Sequence, residues 1–232
     1  MQLPDYILPL QEAFLSNANP SEAVAMKKYM KDKFEFFGIK SPLRKEIYKN
    51  HKDNFGLLPD ENFEQIVRWC WNQDQREYQY FAMEFLGRRK NKAQIQIIDL
   101  YEVLISRKSW WDTIDFIAAH LLGSYFTKYP EQILPVTNKW MRSGNIWLQR
   151  SCLLFQLKYK GKTNEKLLTS FIVELTGTRE FFINKAIGWA LREYSKTNPR
   201  FVKDFVSENH LSGLSRREAL KWMQDRGLVI KS

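Results

Sequence analysis

The sequence is poor in cysteine and has no long apolar run. Cys70 and Cys152 are its two cysteines, and neither has a second cysteine or a histidine at the short spacing of a zinc site. We therefore expect no disulfide framework, no metal and no other cofactor. No stretch of about 18 apolar residues occurs, and the first residues lack the basic and apolar segments of a signal peptide. These absences predict a cytosolic protein without a membrane partner.

Signals for β-structure and for domain linkers are also sparse. Alternation with a period of two is rare, Asn-Gly and Asp-Gly pairs are missing, and no segment is rich in Gly, Pro or Ser. Apolar residues instead recur three and four apart, as in FEQIVRWCW, YQYFAMEFL and LLTSFIVEL. This pattern predicts an all-α protein of about a dozen helices, in a single domain over residues 1–232. We expect HLLG, which begins at His120, to end one helix.

One helical motif recurs with a period of about 35 residues. The segments in register are REYQYFAMEFL from Arg76, WDTIDFIAAHL from Trp111, WLQRSCLLFQL from Trp147 and FINKAIGWALR from Phe182. This spacing predicts an α-solenoid of HEAT-like helix pairs. The first, fourth, fifth and eighth positions share a helical face that mixes aromatic and charged residues, including the face of the first copy, Arg76, Gln79, Tyr80 and Met83. We expect this face to be the ligand-facing lining of a curved solenoid.

The net charge of +10 is unevenly distributed. Residues 1–138 contain 18 Lys and Arg against 18 Asp and Glu, whereas residues 139–232 contain 18 against 8. A one-sided basic field attracts polyanions, and nucleic acid is the commonest large one. The charge therefore favours a basic concave surface that binds DNA.

Three chemically different side chains are predicted to converge on that surface. Trp111 and Asp115 are one helical turn apart, and Arg150 follows Asp115 by 35 residues, at nearly the same level of the next repeat. An aromatic face, an anion and a cation would then share one patch. The alternative is a buried Trp111 beside a surface ion pair that contributes under about 1 kcal/mol.

Four segments in order carry a family resemblance. They are AMKKYMKDKFEFFGIKSPLRK (25–45), SWWDTIDFIAAHLLG (109–123), WLQRSCLLFQLKYK (147–160) and EFFINKAIGWALREYSKTNP (180–199). With them the sequence resembles the bacterial alkylpurine DNA glycosylases of the AlkD type, which are built from HEAT-like repeats. The resemblance implies catalytic roles for Trp111, Asp115 and Arg150. It also implies lesion contacts for Tyr29 and Trp189, and phosphate contacts for Lys158 and Arg192.

The reaction implied by the resemblance is hydrolysis of the N-glycosidic bond of cationic purines, N3-methyladenine and N7-methylguanine, in duplex DNA and without base flipping. A cationic base is already a good leaving group. Ionised Asp115 would stabilise the positive charge that grows on the sugar and would orient water. Trp111 would present its ring face to the sugar, and Arg150 would bind a phosphate while favouring ionised Asp115. We expect a monomer in the bacterial cytosol.

Four other points remain open. Lys185, at the fourth position of its repeat, is expected to contact phosphate, but an amine there could instead serve a lyase reaction, which we do not expect. A non-catalytic DNA-binding solenoid would have the same fold, and a HEAT scaffold for an acidic protein would also use a basic aromatic face. The helix GLSRREALKW (213–222) presents either phosphate contacts, through Arg216 and Arg217, or a solvated face.

Overall fold

The described chain, residues 3–56 and 60–229 of the computed structural model, is helical. Within these ranges there is no β-strand, and the only strand-like pairing is an isolated bridge between Glu35 and Gln75. The predicted all-α fold is confirmed. None of the helices in the described part is long and apolar enough to cross a membrane.

The chain forms two compact units, Met1–Arg89 and Lys90–Ser232. The helices of the first unit are α1 (Leu3–Ser16), α2 (Pro20–Tyr29), α3 (Ser41–Phe55), α4 (Asp60–Asn72) and α5 (Arg76–Arg89). The prediction of a single domain concerns whether the two units fold together, and it stays a prediction.

Helix α5 is mostly enclosed in the first unit, which corrects the prediction for its ligand-facing side. Arg76, Gln79 and Met83 are all buried. The guanidinium of Arg76 lies 3.8 Å from the ring centroid of Phe34, and Gln79 donates to the backbone carbonyl of Cys70 at 2.8 Å. These polar groups are buried because they have partners within the unit. The face predicted to meet a ligand is therefore structural in this copy of the motif.

The second unit contains nine helices within the described residues. They are α6 (Ile97–Ser106), α7 (Trp111–Phe116), α8 (Gly123–Lys128), α9 (Ile133–Met141), α10 (Ile146–Leu154), α11 (Glu165–Leu175), α12 (Phe181–Ser195), α13 (Pro199–Glu208) and α14 (Gly213–Asp225).

Helices of the second unit stack in the order that the repeat predicted. Helix α10 packs against α7 and α12 as well as against α9 and α11, and α12 packs against α13 and α14. Helices α7, α10 and α12 begin at Trp111, Ile146 and Phe181, so the predicted register is correct to within one residue. Asn145 fixes one of these starts, because its side chain accepts from the backbone N–H of Trp147 at 2.9 Å.

A π-helical segment, Ile117–Leu122, joins α7 to α8. Phe116 and Gly123 on either side have right-handed helical backbone angles, so one continuous helix covers residues 111–128. The prediction that HLLG ends a helix is therefore wrong. Gly123 serves close packing instead, because a Cβ atom there would lie 2.7 Å from the carbonyl oxygen of Phe155.

Candidate functional site

A cleft of about 290 Å³ opens in the second unit, between α7, α10, α12 and α14. Its lining contains six of the eight side chains that the sequence predicted for the site: Trp111, Asp115, Arg150, Lys185, Trp189 and Arg192. Phe181, Phe182 and Glu218 complete the lining. We call this cavity the Asp115 cleft.

Only part of each predicted face reaches this cleft. Ile114, Ala118 and Leu154 occupy predicted lining positions but are fully buried between helices. Helix α12 contributes most, since residues 181, 185, 189 and 192 are spaced four, four and three apart and so lie on one side. The exposed lining is therefore narrower than the predicted face.

A two-pronged ion pair joins Asp115 to Arg150. Arg150 donates from Nε to Oδ1 of Asp115 at 2.8 Å and from Nη2 to Oδ2 at 2.9 Å. Its third nitrogen, Nη1, donates to the backbone carbonyl of Phe182. The Arg150 side chain is 5% exposed and that of Asp115 is 18% exposed. Asp115 is thus fixed in orientation and still reaches the cleft.

Opposing effects act on the protonation of Asp115. Burial raises the pKa of its carboxyl above the usual range, and the hydrogen bonds and charge of Arg150 lower it. The nearby charge of Asp112 raises it again, and the net direction is upward. Arg150 is therefore the group that favours the ionised form of Asp115.

An aromatic cluster supports the ion pair. The rings of Trp110, Trp147 and Phe182 contact one another, with centroids 5.7 Å, 5.0 Å and 4.9 Å apart. Phe182 also supplies the carbonyl that accepts from Arg150. The packing of this cluster therefore positions the guanidinium, and through it the carboxylate.

This ion pair changes the expectation for Arg150. Arg150 was expected to bind a backbone phosphate, but its Nε and Nη2 donate to Asp115 here. The same donors cannot serve both anions in this arrangement. The geometry favours Arg150 as the residue that positions Asp115.

The prediction did not include Glu218, which lies on α14 and pairs with two expected phosphate ligands. Its carboxylate is 2.8 Å from Nζ of Lys185 and 3.0 Å from Nη1 of Arg192. These cations lower the pKa of Glu218. Gly188 allows the approach, because a Cβ atom there would lie 2.5 Å from Cβ of Glu218. A glycine within a helical motif was the available signal for close helix packing.

Two predicted site residues lie outside the Asp115 cleft. Lys158 is exposed in the turn after α10 and lines a different cavity of the second unit. Tyr29 ends α2 in the first unit, where it is 69% exposed. The lesion contact expected of Tyr29 stays a prediction.

The chemistry of the Asp115 cleft is that of charged and aromatic groups. No group of three or more His, Cys, Asp or Glu side chains is placed to hold a metal ion in the part of the chain that the structure describes. The cleft offers an oriented carboxylate, two tryptophan rings and paired cations. This arrangement can stabilise a positive charge placed near the carboxylate and the ring faces.

The match to a family model and the match to a solved structure give the same description. The model of a family described as DNA alkylation repair enzyme matches residues 10–223. A solved structure described as a predicted DNA alkylation repair enzyme from Enterococcus faecalis has 33% sequence identity and a TM-score of 0.83, covering 89% of this chain and 96% of that one. No curated protein matches the sequence.

Two further solved structures come from Streptococcus mutans. AlkD2 has 18% identity and a TM-score of 0.60 over 86% of this chain and 97% of its own. The protein smu.31 has 18% identity and a TM-score of 0.58 over 78% and 96%. At this identity both show the fold alone.

Proposed function

The chain belongs to the DNA alkylation repair enzymes, and on that premise we propose that it hydrolyses the N-glycosidic bond of cationic alkylated purines in duplex DNA. The observation that carries this proposal is the Asp115 carboxylate, held by two hydrogen bonds from Arg150 at a cleft with Trp111 and Trp189. N3-methyladenine and N7-methylguanine are the expected lesions.

The carboxylate suits the charge that develops in this reaction. As the bond from C1′ to the base nitrogen breaks, its electron pair neutralises the cationic base and positive charge grows on the sugar. Asp115 stabilises that charge and orients water, whose oxygen bonds to C1′ and whose proton passes to Asp115 or to solvent. No group has to protonate the base, and base flipping is not required.

Trp111 and Trp189 supply the aromatic part of the cleft. Trp111 precedes Asp115 by one helical turn, so its ring and the carboxylate lie on the same side of the helix. The face of an indole ring attracts a cation with about 0.5 to 2 kcal/mol. The two groups would therefore act on the same sugar cation.

We expect no strand cleavage. A lyase reaction would need a free amine that attacks C1′, and Lys185 is the lysine in the Asp115 cleft. Its Nζ donates to Glu218 at 2.8 Å. Because its amine is paired with Glu218, Lys185 is assigned to the wall of the cleft and not to a lyase reaction. The proposed reaction uses no residue beyond those of the Asp115 cleft, and we expect the protein to act as a monomer.

Replacing Asp115 by Asn tests the proposal. Purified protein is incubated with duplex DNA that carries N7-methylguanine, and release of free base is measured under single-turnover conditions. We expect Asp115→Asn to lower the rate about 100- to 1000-fold, since it removes the anion but keeps the size of the side chain. The control is Asp112→Asn, on the same helix but outside the cleft lining, which should retain most of the rate.

The alternatives give different results. No base release by the wild type, or equal release by wild type and Asp115→Asn, overturns the glycosylase proposal. Tight duplex binding without release would indicate a non-catalytic DNA-binding protein. Failure of duplex DNA to compete with an acidic protein for the same surface would indicate a scaffold.

A further inference from the structure

The amine of Lys185 is a reactive group of the Asp115 cleft that the proposed hydrolysis does not use. Lys185 lies on α12 and lines the cleft together with Asp115. Its side chain is 37% exposed, so the amine can be reached from the cleft. Lysine amines form imines with carbonyl compounds when they are uncharged. The cleft therefore contains a nucleophile in addition to the carboxylate.

Lys185 lies close to the ion pair that holds Asp115. Arg150 donates to both carboxylate oxygens of Asp115 and to the backbone carbonyl of Phe182. Lys185 follows Phe182 by three residues on α12, which places it about 4.5 Å farther along the axis at about 1.5 Å per residue. The carboxylate and the amine therefore belong to neighbouring walls of one cavity, and a sugar beside Asp115 lies on the side that Lys185 faces.

Glu218 holds this amine in its charged form. Nζ of Lys185 donates to Oε1 of Glu218 at 2.8 Å. The hydrogen bond from Lys185, and then nearby charges that include Arg192, lower the pKa of Glu218, although burial opposes them. The carboxylate is therefore ionised near neutral pH, and the amine would have to break an ion pair in order to lose its proton.

Arg192 would act on the amine in the opposite direction. It donates to the second carboxylate oxygen of Glu218 at 3.0 Å, so two cations share one anion. Close packing of α14 at Gly188 keeps Glu218 between them. A neighbouring cation favours the uncharged form of an amine. The cluster thus contains the amine and a cation that would activate it, and Glu218 is the group that opposes activation.

We propose that Lys185 is a masked nucleophile for the aldehyde of an abasic site, and that Glu218 prevents the enzyme from forming an imine with its own product. The inference rests on the proposed function, because base hydrolysis leaves the abasic sugar beside Asp115. It adds a second group that acts on the same carbon, C1′, and a residue that decides whether the strand is cut.

The masked reaction requires no further reagent. The open-chain form of an abasic sugar has an aldehyde at C1′. The electron pair of the uncharged amine forms a bond to C1′, and the aldehyde oxygen takes up the two amine protons and leaves as water, which gives an imine. Loss of a C2′ proton to solvent then forms the C2′–C3′ double bond and breaks the C3′–O bond, whose electrons leave with the phosphate. With Glu218 in place, the product is released uncut.

Reduction with sodium borohydride tests for the imine, because it converts an imine to a stable amine and so links the protein to the DNA. The substrate is a duplex with one preformed abasic site, which makes the result independent of base release. Glu218→Gln keeps the size of the side chain, and Glu218→Ala removes the remaining acceptor. The matched control is Asp225→Asn, an exposed carboxylate of α14 outside the cleft lining.

All proteins are used at saturating concentration, which removes differences in affinity, and thermal unfolding confirms that each is folded. The covalent complex is quantified on a denaturing gel, and strand cleavage is measured without borohydride. We expect little complex from wild type and from Asp225→Asn. Each Glu218 variant should form at least about 10-fold more, since a contacting opposite charge changes the uncharged fraction of an amine by about that factor or more.

The double variant Glu218→Gln/Lys185→Ala identifies the nucleophile. It should return the complex and the strand cleavage to the wild-type level, because it lacks the unmasked amine. A complex that persists in the double variant would overturn the proposal, since another amine, such as that of Lys221 on α14, would then be the nucleophile. Equal amounts of complex in wild type and in both Glu218 variants would overturn it as well.

Base release from N7-methylguanine duplex is measured in parallel and separates this inference from the proposed function. If the Glu218 variants form the Lys185-dependent complex and the wild type releases no base, Lys185 is a masked nucleophile and the glycosylase proposal fails. If the wild type releases base and neither Glu218 variant forms the complex, only the proposal for Lys185 fails.

Discussion

Arg150 and Asp115 have different roles in the proposed reaction. Every nitrogen of the Arg150 guanidinium donates to the protein, and its side chain is nearly closed to solvent. Two opposing effects act on the carboxyl of Asp115, since burial raises its pKa and Arg150 lowers it. Arg150 is thus proposed as a positioning residue that keeps Asp115 ionised and oriented.

Replacing Arg150 by Gln should move the acidic limb of base release to higher pH. Asp115 must be ionised, so activity is lost as the pH falls through its pKa. Without Arg150 the effects that raise this pKa are less opposed, so the limb should shift to higher pH. The measurement is the single-turnover rate as a function of pH, after subtraction of release without protein.

Arg150→Lys is the control, because it keeps the charge but loses the fork, and it should shift the limb less. A lower plateau with an unchanged acidic limb would contradict the positioning role. It would point instead to the phosphate contact that the sequence suggested.

Residue spacing predicted the convergence of Trp111, Asp115 and Arg150 because a helical repeat converts a fixed spacing into spatial proximity. It did not predict Glu218. In GLSRREALKW the arginines were the expected phosphate contacts, but Arg216 lies on another side of α14, where it donates to the carbonyl of Val206 at 2.8 Å. Residue spacing also did not predict that Lys158 and Lys185 line different cavities, because Lys158 lies in the turn after α10, outside the repeated helical motif.

At the scale of elements, the contact of α12 with α14 sets the charge of the Asp115 cleft. Gly188 lets the helices approach, and the Ser215 hydroxyl donates to the carbonyl of Asn184 at 2.9 Å. Together these contacts hold Glu218 against Lys185 and Arg192. We therefore propose that a carboxylate on α14 competes with DNA for two cations of α12.

Replacing Glu218 by Gln should strengthen binding to undamaged duplex. The change frees two cations and removes one anion from the cleft, so we expect about 3- to 10-fold higher affinity and a salt slope steeper by one to two, by the estimate of about one released counterion per phosphate contact. Glu208→Gln, on α13 and outside the cleft, is the matched control. Fluorescence anisotropy at several salt concentrations measures both. Weaker binding would mean that Glu218 orders the cations for phosphate instead of competing with it.

The starts of α7, α10 and α12 were predictable to within a residue, because an aromatic residue stands at or next to each start and recurs with the period of the repeat. The π-helical segment Ile117–Leu122 was not predictable from the sequence. A glycine after two leucines resembles a helix end, and the carbonyl of Phe155 that requires Gly123 is distant in sequence. The buried state of Arg76 was hidden for a similar reason, because Phe34 covers it from another segment.

At the scale of the whole molecule, composition predicted helices and a basic C-terminal part but not the division into two compact units. No linker composition marks residue 89 or 90, since the chain there consists of charged helix-forming residues. The charged residues of the two units also differ in their environment. Arg76 and Glu77 are fully buried in the first unit, whereas the basic residues of the Asp115 cleft and of the cavity beside Lys158 belong to the second.

Buried His51 should make folding stability depend on pH. It packs against Tyr6, Phe55 and Phe81, and burial lowers its pKa from 6.5 to about 4. The unfolded chain therefore binds a proton that the folded one does not, and the free energy of unfolding should fall as the pH drops from 6.5 to about 4. The slope is at most about 1.4 kcal/mol per pH unit.

Urea unfolding at pH 7, 6 and 5 measures this dependence in wild type and in His51→Phe. The variant should lose less stability over that range. His210→Phe is the control, because His210 is exposed, and it should behave as wild type. Equal slopes for wild type and His51→Phe would exclude His51 as the source.

The π segment also affects which changes in length the helix over residues 111–128 can tolerate. Each residue of an α-helix turns the chain by about 100°. A π turn accommodates an additional residue without breaking the helix. Deleting one residue between Ile117 and Leu122 would let the segment relax to regular α-helix and would leave the rotational phase of the residues after it nearly unchanged. Thr127 would then still lie near the side that carries Asp115, whereas a deletion elsewhere between these two residues would rotate it by about 100°. We therefore expect this helix to tolerate a single-residue deletion within the π segment better than one on either side of it.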